Sequence, residues 1–223
     1  MKPSLAQKAA SELIGTCFLL AAVIGSGVMA ENLTVAQPAL ALLCVTLATA
    51  AALVAMILTF VEVSGAHFNP AVTFAAVCSG HLRQSEGWAY AAAQCVGAHA
   101  GVALAHAMFG LPLLQRGLHA RSGPAQWGSE GVATFGLVVL TAGVGRGRPQ
   151  FLPFAVAAYV ASAYWFTAST AFANPAATLA RCFSATGGGI ASADVGGFLC
   201  GQVAGAVMAV FVTRWLFVGP KEG

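Results

Sequence analysis

The sequence predicts an all-helical integral membrane protein built as an inverted repeat. Of its 223 residues, 58% are hydrophobic and only 8% are charged, which is too few polar residues for a soluble surface. The tripeptide Asn-Pro-Ala occurs twice, at residues 69–71 and 174–176, each time after a long apolar run and before a short one. Six spans of about 20 residues with short loops account for the length without a separate domain.

Each Asn-Pro-Ala copy predicts the start of a half-helix inside the membrane. Asn is a favoured N-cap, and Pro fits the first helical position without losing a hydrogen bond. The half-helices run over about 69–78 and 174–183 and are too short to cross a bilayer. Asn-Pro is also a common turn dipeptide, but two copies in matching contexts favour the half-helices. The predicted pore residues are Asn69, Pro70, Ala71, Asn174, Pro175 and Ala176.

The two triplets belong to a duplication of the whole chain. Glu12 and Glu130 occupy matching places near the starts of the halves, and Gln94 and Gln202 match near the ends. Each half has three long apolar segments, so the second half enters the membrane from the opposite side, and the broken helices lie near the midplane. The single domain, 1–223, divides into a first repeat of about 1–110, a connecting loop of about 111–127 and a second repeat of about 128–223.

Glycines predict close helix packing in both halves. The predicted spans are 9–30, 38–61, 88–109, 128–144, 151–171 and 195–217. Gly97 and Gly101 in the third span, and Gly201 and Gly205 in the sixth, form small-xxx-small faces suited to tight contact in lipid.

The basic residues predict that both termini are cytoplasmic. With the N-terminus inside, more basic residues lie in the cytoplasm than on the opposite side, as the positive-inside rule requires. The inner residues are Lys2, Lys8, Arg83, Arg146, Arg148, Arg214 and Lys221, and the outer ones are Arg116, Arg121 and Arg181. The net charge of +3 is too small and dispersed to indicate a nucleic-acid partner. No metal-ligand or disulfide spacing is found among the cysteines, so no cofactor is expected.

Together these motifs resemble the aquaporins, or major intrinsic proteins, over almost the whole chain. The resemblance rests on the two triplets, on Ser-Gly-Ala-His before the first (64–67), and on the paired Glu and Gln residues. It implies an aquaporin-like right-handed bundle of six transmembrane helices and two re-entrant half-helices. It also implies a homotetramer with one pore in each subunit, surrounded by membrane lipid.

The resemblance also assigns roles to the polar residues inside the membrane. Asn69 and Asn174 would donate hydrogen bonds to a passing solute, while Glu12, Glu130 and His67 would brace the loops that carry the triplets. A proton relay is the alternative for the two glutamates, because a carboxylate inside a membrane is costly unless it has a function. Glu62 is either a solvated charge or a weak cation attractor at the cytoplasmic mouth.

The selectivity filter departs from the family pattern. Spacing from the triplets gives Thr49, Ser162, Ala171 and Ala177 as the filter positions, and Ala177 stands where the family usually has Arg. Four small side chains predict a wide, uncharged constriction. Arg181 follows Ala177 by one helical turn, about 6 Å outward, and either lines the outer pore or extends to the outer surface.

These features predict a passive channel for small uncharged solutes. The combination of Thr49 and Ala177 resembles a bacterial subgroup associated with arsenic resistance, which implies permeation of arsenous acid, glycerol and water across the bacterial inner membrane. An ordinary water or glycerol channel and an ion-coupled transporter are the alternatives. An enzyme is not expected, because no catalytic set remains once the two glutamates are braces. Cys182, near the predicted outer mouth, is the expected site of mercurial block.

Overall fold

The computed structural model describes residues 2–217, which form eight α-helices, two short 3₁₀ turns and no strand. The helices are α1 (Leu5–Leu33), α2 (Pro38–Ser64), α3 (Pro70–Cys78), α4 (Gln84–Met108), α5 (Pro124–Gly147), α6 (Leu152–Phe166), α7 (Pro175–Arg181) and α8 (Val195–Phe217). The 3₁₀ turns precede α6 and α8, at Pro149–Phe151 and Ser192–Asp194. Lys221 and Glu222 lie outside the described residues.

The helices pack as two copies of one four-helix unit. In the first, α1 packs against α4 and α2; in the second, α5 packs against α8 and α6. The two units meet through α2 and α6 and through the short helices α3 and α7. The fold is therefore an inverted repeat of six long segments and two half-helices, as the sequence predicted.

Glycine allows the closest helix contacts, in both units. A Cβ at Gly97 or Gly101 would overlap the backbone of α1 at Leu13 or Cys17. A Cβ at Gly201 or Gly205 would likewise overlap the backbone of α5. Backbone cannot move aside as a flexible side chain can, so these contacts fix how α1 docks on α4 and α5 on α8.

Four of the helical segments in residues 2–217 are long and apolar enough to cross a membrane on length and composition alone. They are Leu5–Leu33, Pro38–Ser64, Pro124–Gly147 and Ser192–Phe217. Helix α4 is equally long but buries polar side chains, among them Gln94 and His106. Helix α6 has 15 residues, or about 22 Å at 1.5 Å per residue, and the chain continues from it as an irregular segment.

The fifth span is shorter than predicted. It ends at Phe166, whereas the apolar run in the sequence predicted helix to Ala171. Residues 167–173 leave the helix because their backbone groups bond to side chains of another helix, which include the Ser129 hydroxyl and the Glu130 carboxylate. Irregular backbone is tolerated at this depth when protein side chains satisfy it in this way.

Candidate functional site

The two half-helices meet at their N-termini, and their asparagines bond across the junction. The Asn69 Nδ2 donates to the carbonyl oxygen of Ala173 at 2.7 Å, and the Asn174 Nδ2 donates to that of Phe68 at 2.8 Å. Each Asn Oδ1 also accepts from its own half-helix, from Ala71 N at 2.9 Å and Ala176 N at 3.0 Å. An amide NH₂ carries two hydrogens, so each asparagine keeps one donor for another partner.

Pro70 and Pro175 begin their half-helices, as their position after Asn predicts. Ala71 and Ala176 are buried at 5% and 0% exposure, which leaves the two helix ends in close contact. The positive ends of both helix dipoles therefore point at the same place inside the bundle.

The loops before the asparagines have the same backbone conformation. Four, three and one residues before Asn69, φ is 87° at Gly65, 52° at Ala66 and 49° at Phe68. At the corresponding places before Asn174, φ is 59° at Thr170, 47° at Ala171 and 46° at Ala173. Left-handed backbone costs about 1–2 kcal/mol for each non-glycine residue, so other contacts must hold both loops.

The buried carboxylate of Glu12 provides those contacts for the first loop. Its oxygens accept from His67 N at 2.9 Å, Phe68 N at 2.7 Å and the Ser64 hydroxyl at 2.6 Å. Gln94 donates to the same carboxylate at 2.7 Å and to the Thr73 hydroxyl at 2.9 Å. The carboxylate thereby joins three helices and the loop.

Glu130 repeats the arrangement in the second unit. Its carboxylate accepts from Phe172 N at 2.8 Å and Ala173 N at 2.7 Å, and from the Gln202 amide at 2.6 Å. Gln202 also donates to the Thr178 hydroxyl at 2.8 Å. Both glutamates are fully buried, and every oxygen of each carboxylate has a donor within the protein.

The backbone and the imidazole ring of His67 have different partners. Its backbone N–H bonds to Glu12, while its Nδ1 is 3.0 Å from the Thr73 hydroxyl and its ring packs edge-on against Tyr90. The side chain also lines the cavity described next. Glu62, two residues before the Ser64 end of α2, is exposed.

A cavity of about 1030 Å³ runs past both asparagines through the bundle. One end is lined by Cys78, His81 and Arg214, at the C-terminal end of α3, and is called here the Cys78 mouth. The other end is lined by Tyr164 and Arg181 and is called the Arg181 mouth. Within residues 2–217, no group of three or more His, Cys, Asp or Glu side chains could hold a metal ion.

Three of the four predicted filter residues line this cavity near the Arg181 mouth. Thr49, Ala171 and Ala177 are buried at 3%, 6% and 7% exposure and contribute only small groups to its wall. Ser162 does not join them, which corrects the prediction from spacing. Its hydroxyl bonds back to the carbonyl oxygen of Tyr159 on an exposed face of α6.

Tyr164 takes the place in the cavity wall that spacing assigned to Ser162. Counting back from Asn174 took the fifth span as helix to Ala171, but α6 ends at Phe166 and the irregular residues 167–173 change which face of α6 turns inward. The Tyr164 hydroxyl is 3.3 Å from the Thr49 hydroxyl, within hydrogen-bond distance, and both residues line the cavity. The signal in the sequence that could have indicated this was the aromatic Tyr164, two positions after the expected Ser162.

Arg181 lies inside the protein, at 5% exposure, and does not extend to the surface. Its Nε donates to the carbonyl oxygen of Gly188, and its guanidinium carbon lies 3.3 Å above the centre of the Phe172 ring. A second cavity of about 470 Å³, called here the vestibule, shares Arg181, Tyr164 and Val23 with the main cavity. Arg181 therefore lies at the junction of the two.

Arg121 was missed as a functional residue by the sequence analysis. It is 8% exposed and lies 4.9 Å from the centre of the Phe172 ring. Its guanidinium donates to the carbonyl oxygens of Ser169, Gly187 and Gly189. Burial lowers the pKa of Arg121, and the nearby Glu130 charge raises it. Its only signal in the sequence was an arginine in the loop between the repeats.

Cys182 does not line either cavity, contrary to the expectation that it faces the outer mouth. Its Sγ is 2.9 Å from the carbonyl oxygen of Leu179, and the side chain packs beside Phe172, Ile190 and Phe198. Cys78 is the cysteine that contributes to the wall of the main cavity.

Two half-helices that meet at paired asparagines, in a cavity whose lining extends from Cys78 to Arg181, define a pore-forming membrane protein. A sequence profile of the family described as Major intrinsic protein matches residues 1–150. The chain is 50% identical to the Aquaglyceroporin AqpS of Rhizobium meliloti (strain 1021) over 213 residues, which cover 95% of this chain and 91% of that one. It is 38% identical to Aquaporin NIP1-3 of Oryza sativa subsp. japonica over 109 residues, 47% of this chain and 36% of that one.

A solved structure has the same fold. The X-ray structure of the aquaglyceroporin from Plasmodium falciparum matches with a TM-score of 0.75 over 97% of this chain and 98% of that chain, at 17% identity. The chain thus belongs to the major intrinsic protein family of membrane channels.

Proposed function

We propose that this protein is a passive channel for small uncharged solutes, with glycerol and arsenous acid as substrates and water as a further permeant. The name of the 50% identical relative, an aquaglyceroporin, supports a pore that admits solutes larger than water. Direction of flow then follows the solute gradient, since no coupling ion is required.

The observation that carries the proposal is the methyl group of Ala177 in the cavity wall. Ala177 follows the second triplet directly, and like Thr49 and Ala171 it contributes a small buried side chain to the wall of the cavity. In the proposed filter Tyr164 is the fourth member and replaces Ser162. A filter with one large side chain among its four residues leaves room for a polyol or a metalloid acid.

The proposed pore excludes cations through its backbone. Asn69 and Asn174 each retain one free amide hydrogen to offer to a solute, and two positive helix ends face that same point. Glu12, Glu130 and His67 act as braces in this proposal, because their bonds fix the strained loops. A cation at this level would meet two dipole ends and, one turn beyond Ala177, the charge of Arg181.

The proposal extends to the membrane setting. The chain functions as a homotetramer in a cell membrane, the inner membrane of a bacterium, with both termini cytoplasmic. The Cys78 mouth is then cytoplasmic and the Arg181 mouth faces outward. The distribution of basic residues in the sequence supports this orientation.

Stopped-flow light scattering on proteoliposomes tests the substrate range. Wild type, Ala177→Arg and Ala177→Leu are compared under glycerol, arsenous acid and purely osmotic gradients, and the Leu variant separates loss of space from added charge. We expect wild type to admit glycerol and arsenous acid, and the Arg variant to lose both while retaining water flow.

Three results would change the proposal. Equal solute flux in wild type and the Arg variant would move the filter away from position 177. Fast water flow without solute entry in wild type would leave an ordinary water channel, and saturable flux that requires an ion gradient would indicate a transporter.

A further inference from the structure

The charged side chains in the wall of the main cavity are all basic. Within the described residues they are Arg146, Arg181 and Arg214, and neither Asp nor Glu lines that cavity. Arg214 bonds to the carbonyl oxygen of Cys78 at the C-terminal end of α3, where a cation complements the negative end of the helix dipole. The two half-helix N-termini add positive potential at the centre. The path is therefore electropositive along its length.

Arg181 has hydrogen-bond donors that are not used within the protein residues described. Its Nε bonds to the carbonyl oxygen of Gly188, but its two Nη atoms have no hydrogen-bond partner among residues 2–217. The residue is nevertheless buried, with only 5% of its surface exposed. A guanidinium has five N–H donors, and four of them belong to the Nη atoms. Since the side chain lines both the main cavity and the vestibule, those donors face the space between them.

Phe172 and Arg121 hold this charge in position. The Phe172 ring contacts both guanidinium groups, and its centre lies 3.3 Å from that of Arg181 and 4.9 Å from that of Arg121. Arg121 uses its donors on loop carbonyl oxygens, including that of Gly187 at 3.1 Å. It therefore adds a second positive charge beside the vestibule without competing for a ligand of Arg181.

The nearby carboxylates are engaged elsewhere. Glu31 lines the vestibule, and its Oε1 accepts from the Gly187 N–H at 2.9 Å. Glu130 is fully buried and accepts from the backbone of Phe172 and Ala173. In the part of the chain that the structure describes, neither Arg121 nor Arg181 forms a salt bridge. Two buried guanidinium groups thus lie beside an accessible space, and no carboxylate of residues 2–217 forms a salt bridge with either of them.

We propose that the junction of the vestibule and the main cavity binds a small monovalent oxyanion, such as a short monocarboxylate, through the Nη donors of Arg181. A planar carboxylate matches the paired N–H groups of a guanidinium edge, and the charge compensates a buried cation. The Tyr164 hydroxyl lies in the same junction and supplies a further polar contact. The site rests on the proposed channel function, because a bound anion would then stand in the path of neutral solutes.

The size of the space limits the ligand. The vestibule has a volume of about 470 Å³ and shares Arg181, Tyr164 and Val23 with the main cavity, whose wall includes Thr49 and Ala177. A two- to four-carbon monocarboxylate fits such a space, and a second charge on the ligand would lie away from Arg181 and towards the carboxylate of Glu31. The binding site therefore favours a single negative charge.

Ligand-observed NMR tests the site on the full chain in detergent. Saturation transfer to the methyl group of acetate at pH 7 is titrated, with acetamide as a neutral ligand of nearly the same shape. We expect saturable acetate binding that weakens with added salt, and acetamide binding at least tenfold weaker. Arg181→Gln should weaken acetate binding at least tenfold, Arg181→Lys should weaken it less, and Arg116→Gln, at an exposed arginine, should leave it unchanged.

Thermal unfolding of each variant checks that the Gln substitution leaves the protein folded, and the Lys variant supplies the same test with the charge retained. Acetate binding that is unchanged in both Arg181 variants, or equal binding of acetate and acetamide, would overturn the proposal. So would loss of binding in Arg146→Gln alone, since that would place the anion near the other mouth. Glycerol flux measured on the same preparations separates this site from the channel function: acetate binding without glycerol flux would refute the function and leave the site.

Discussion

Replacement of Glu130 by Gln tests whether the buried glutamates hold the loops or move protons. The Glu130 carboxylate accepts three hydrogen bonds, from Phe172 N, Ala173 N and the Gln202 amide. Glutamine keeps one acceptor oxygen and turns an NH₂ donor towards groups that are themselves donors. At least one buried backbone N–H therefore loses its partner, and the remaining bonds lose the help of the negative charge.

The expected cost follows from these contacts. An orphaned buried donor costs about 1–3 kcal/mol, and replacing a charged acceptor by a neutral one costs roughly 1 kcal/mol more. We therefore expect Glu130→Gln to destabilise the protein by about 2–4 kcal/mol. The left-handed backbone at Thr170, Ala171 and Ala173 stores a similar amount, about 3–6 kcal/mol at 1–2 kcal/mol for each residue. Loss of the brace is thus large enough to release the loop before Asn174.

The assay pairs thermal unfolding in detergent with osmotic water flux in proteoliposomes. Glu62→Gln is the matched control, because Glu62 is an exposed glutamate in the same protein. We expect Glu130→Gln to unfold roughly 5–15 °C earlier than wild type and to lose most of its flux, while Glu62→Gln behaves as wild type. If Glu130→Gln unfolded at the same temperature as Glu62→Gln and lost only a pH-dependent component of its flux, the interpretation of Glu130 as a brace would be wrong and a proton relay would take its place.

Two further predictions follow from the packing and the cavity wall. Gly205→Ala should destabilise the protein by about 1–3 kcal/mol, because the new methyl group meets the backbone of Gly131. Gly196→Ala in the same helix is the control, since its methyl group meets nothing within 4 Å and the change should be neutral or stabilising. Thermal unfolding of both variants measures the difference. Mercurials should block osmotic flux by reacting with Cys78, which lines the main cavity. Cys78→Ser should therefore remove the block, and Cys182→Ser should retain it. The opposite pattern in stopped-flow measurements would mean that the thiol in the path is Cys182.

Much of the fold could be predicted because its signals are local and repeated. Asn before Pro specifies a helix start, and long apolar runs specify spans, so the half-helices and the duplication follow from the residues alone. Glycine at 97 and 205 predicted close packing because no other residue lets two helix backbones approach so closely. The exact end of α6 was not predictable, because residues 167–171 contain no Gly, Pro or charged residue that would end a helix.

The loop conformation could not be predicted because the residues there do not favour it. Alanine at 66, 171 and 173 rarely adopts positive φ, and its presence predicts helix or extended chain. The conformation is set by the carboxylates of Glu12 and Glu130, which lie more than forty residues away along the chain. A contact of this kind is visible only once the helices are packed.

The two loops share a backbone conformation, and of the side chains that differ between them, the one two residues before each asparagine makes the two mouths unlike. Two residues before each asparagine, the first loop has His67 and the second has Phe172, and both line the cavity. The imidazole bonds to Thr73, whereas the aromatic ring lies against two guanidinium groups. The positive charge at the Arg181 mouth is therefore supplied by Arg181 of α7 and Arg121 of the connecting loop, and the second loop contributes the Phe172 ring that both guanidinium groups contact. Substitutions at Phe172 should consequently alter the selectivity of this mouth more than equivalent changes at His67.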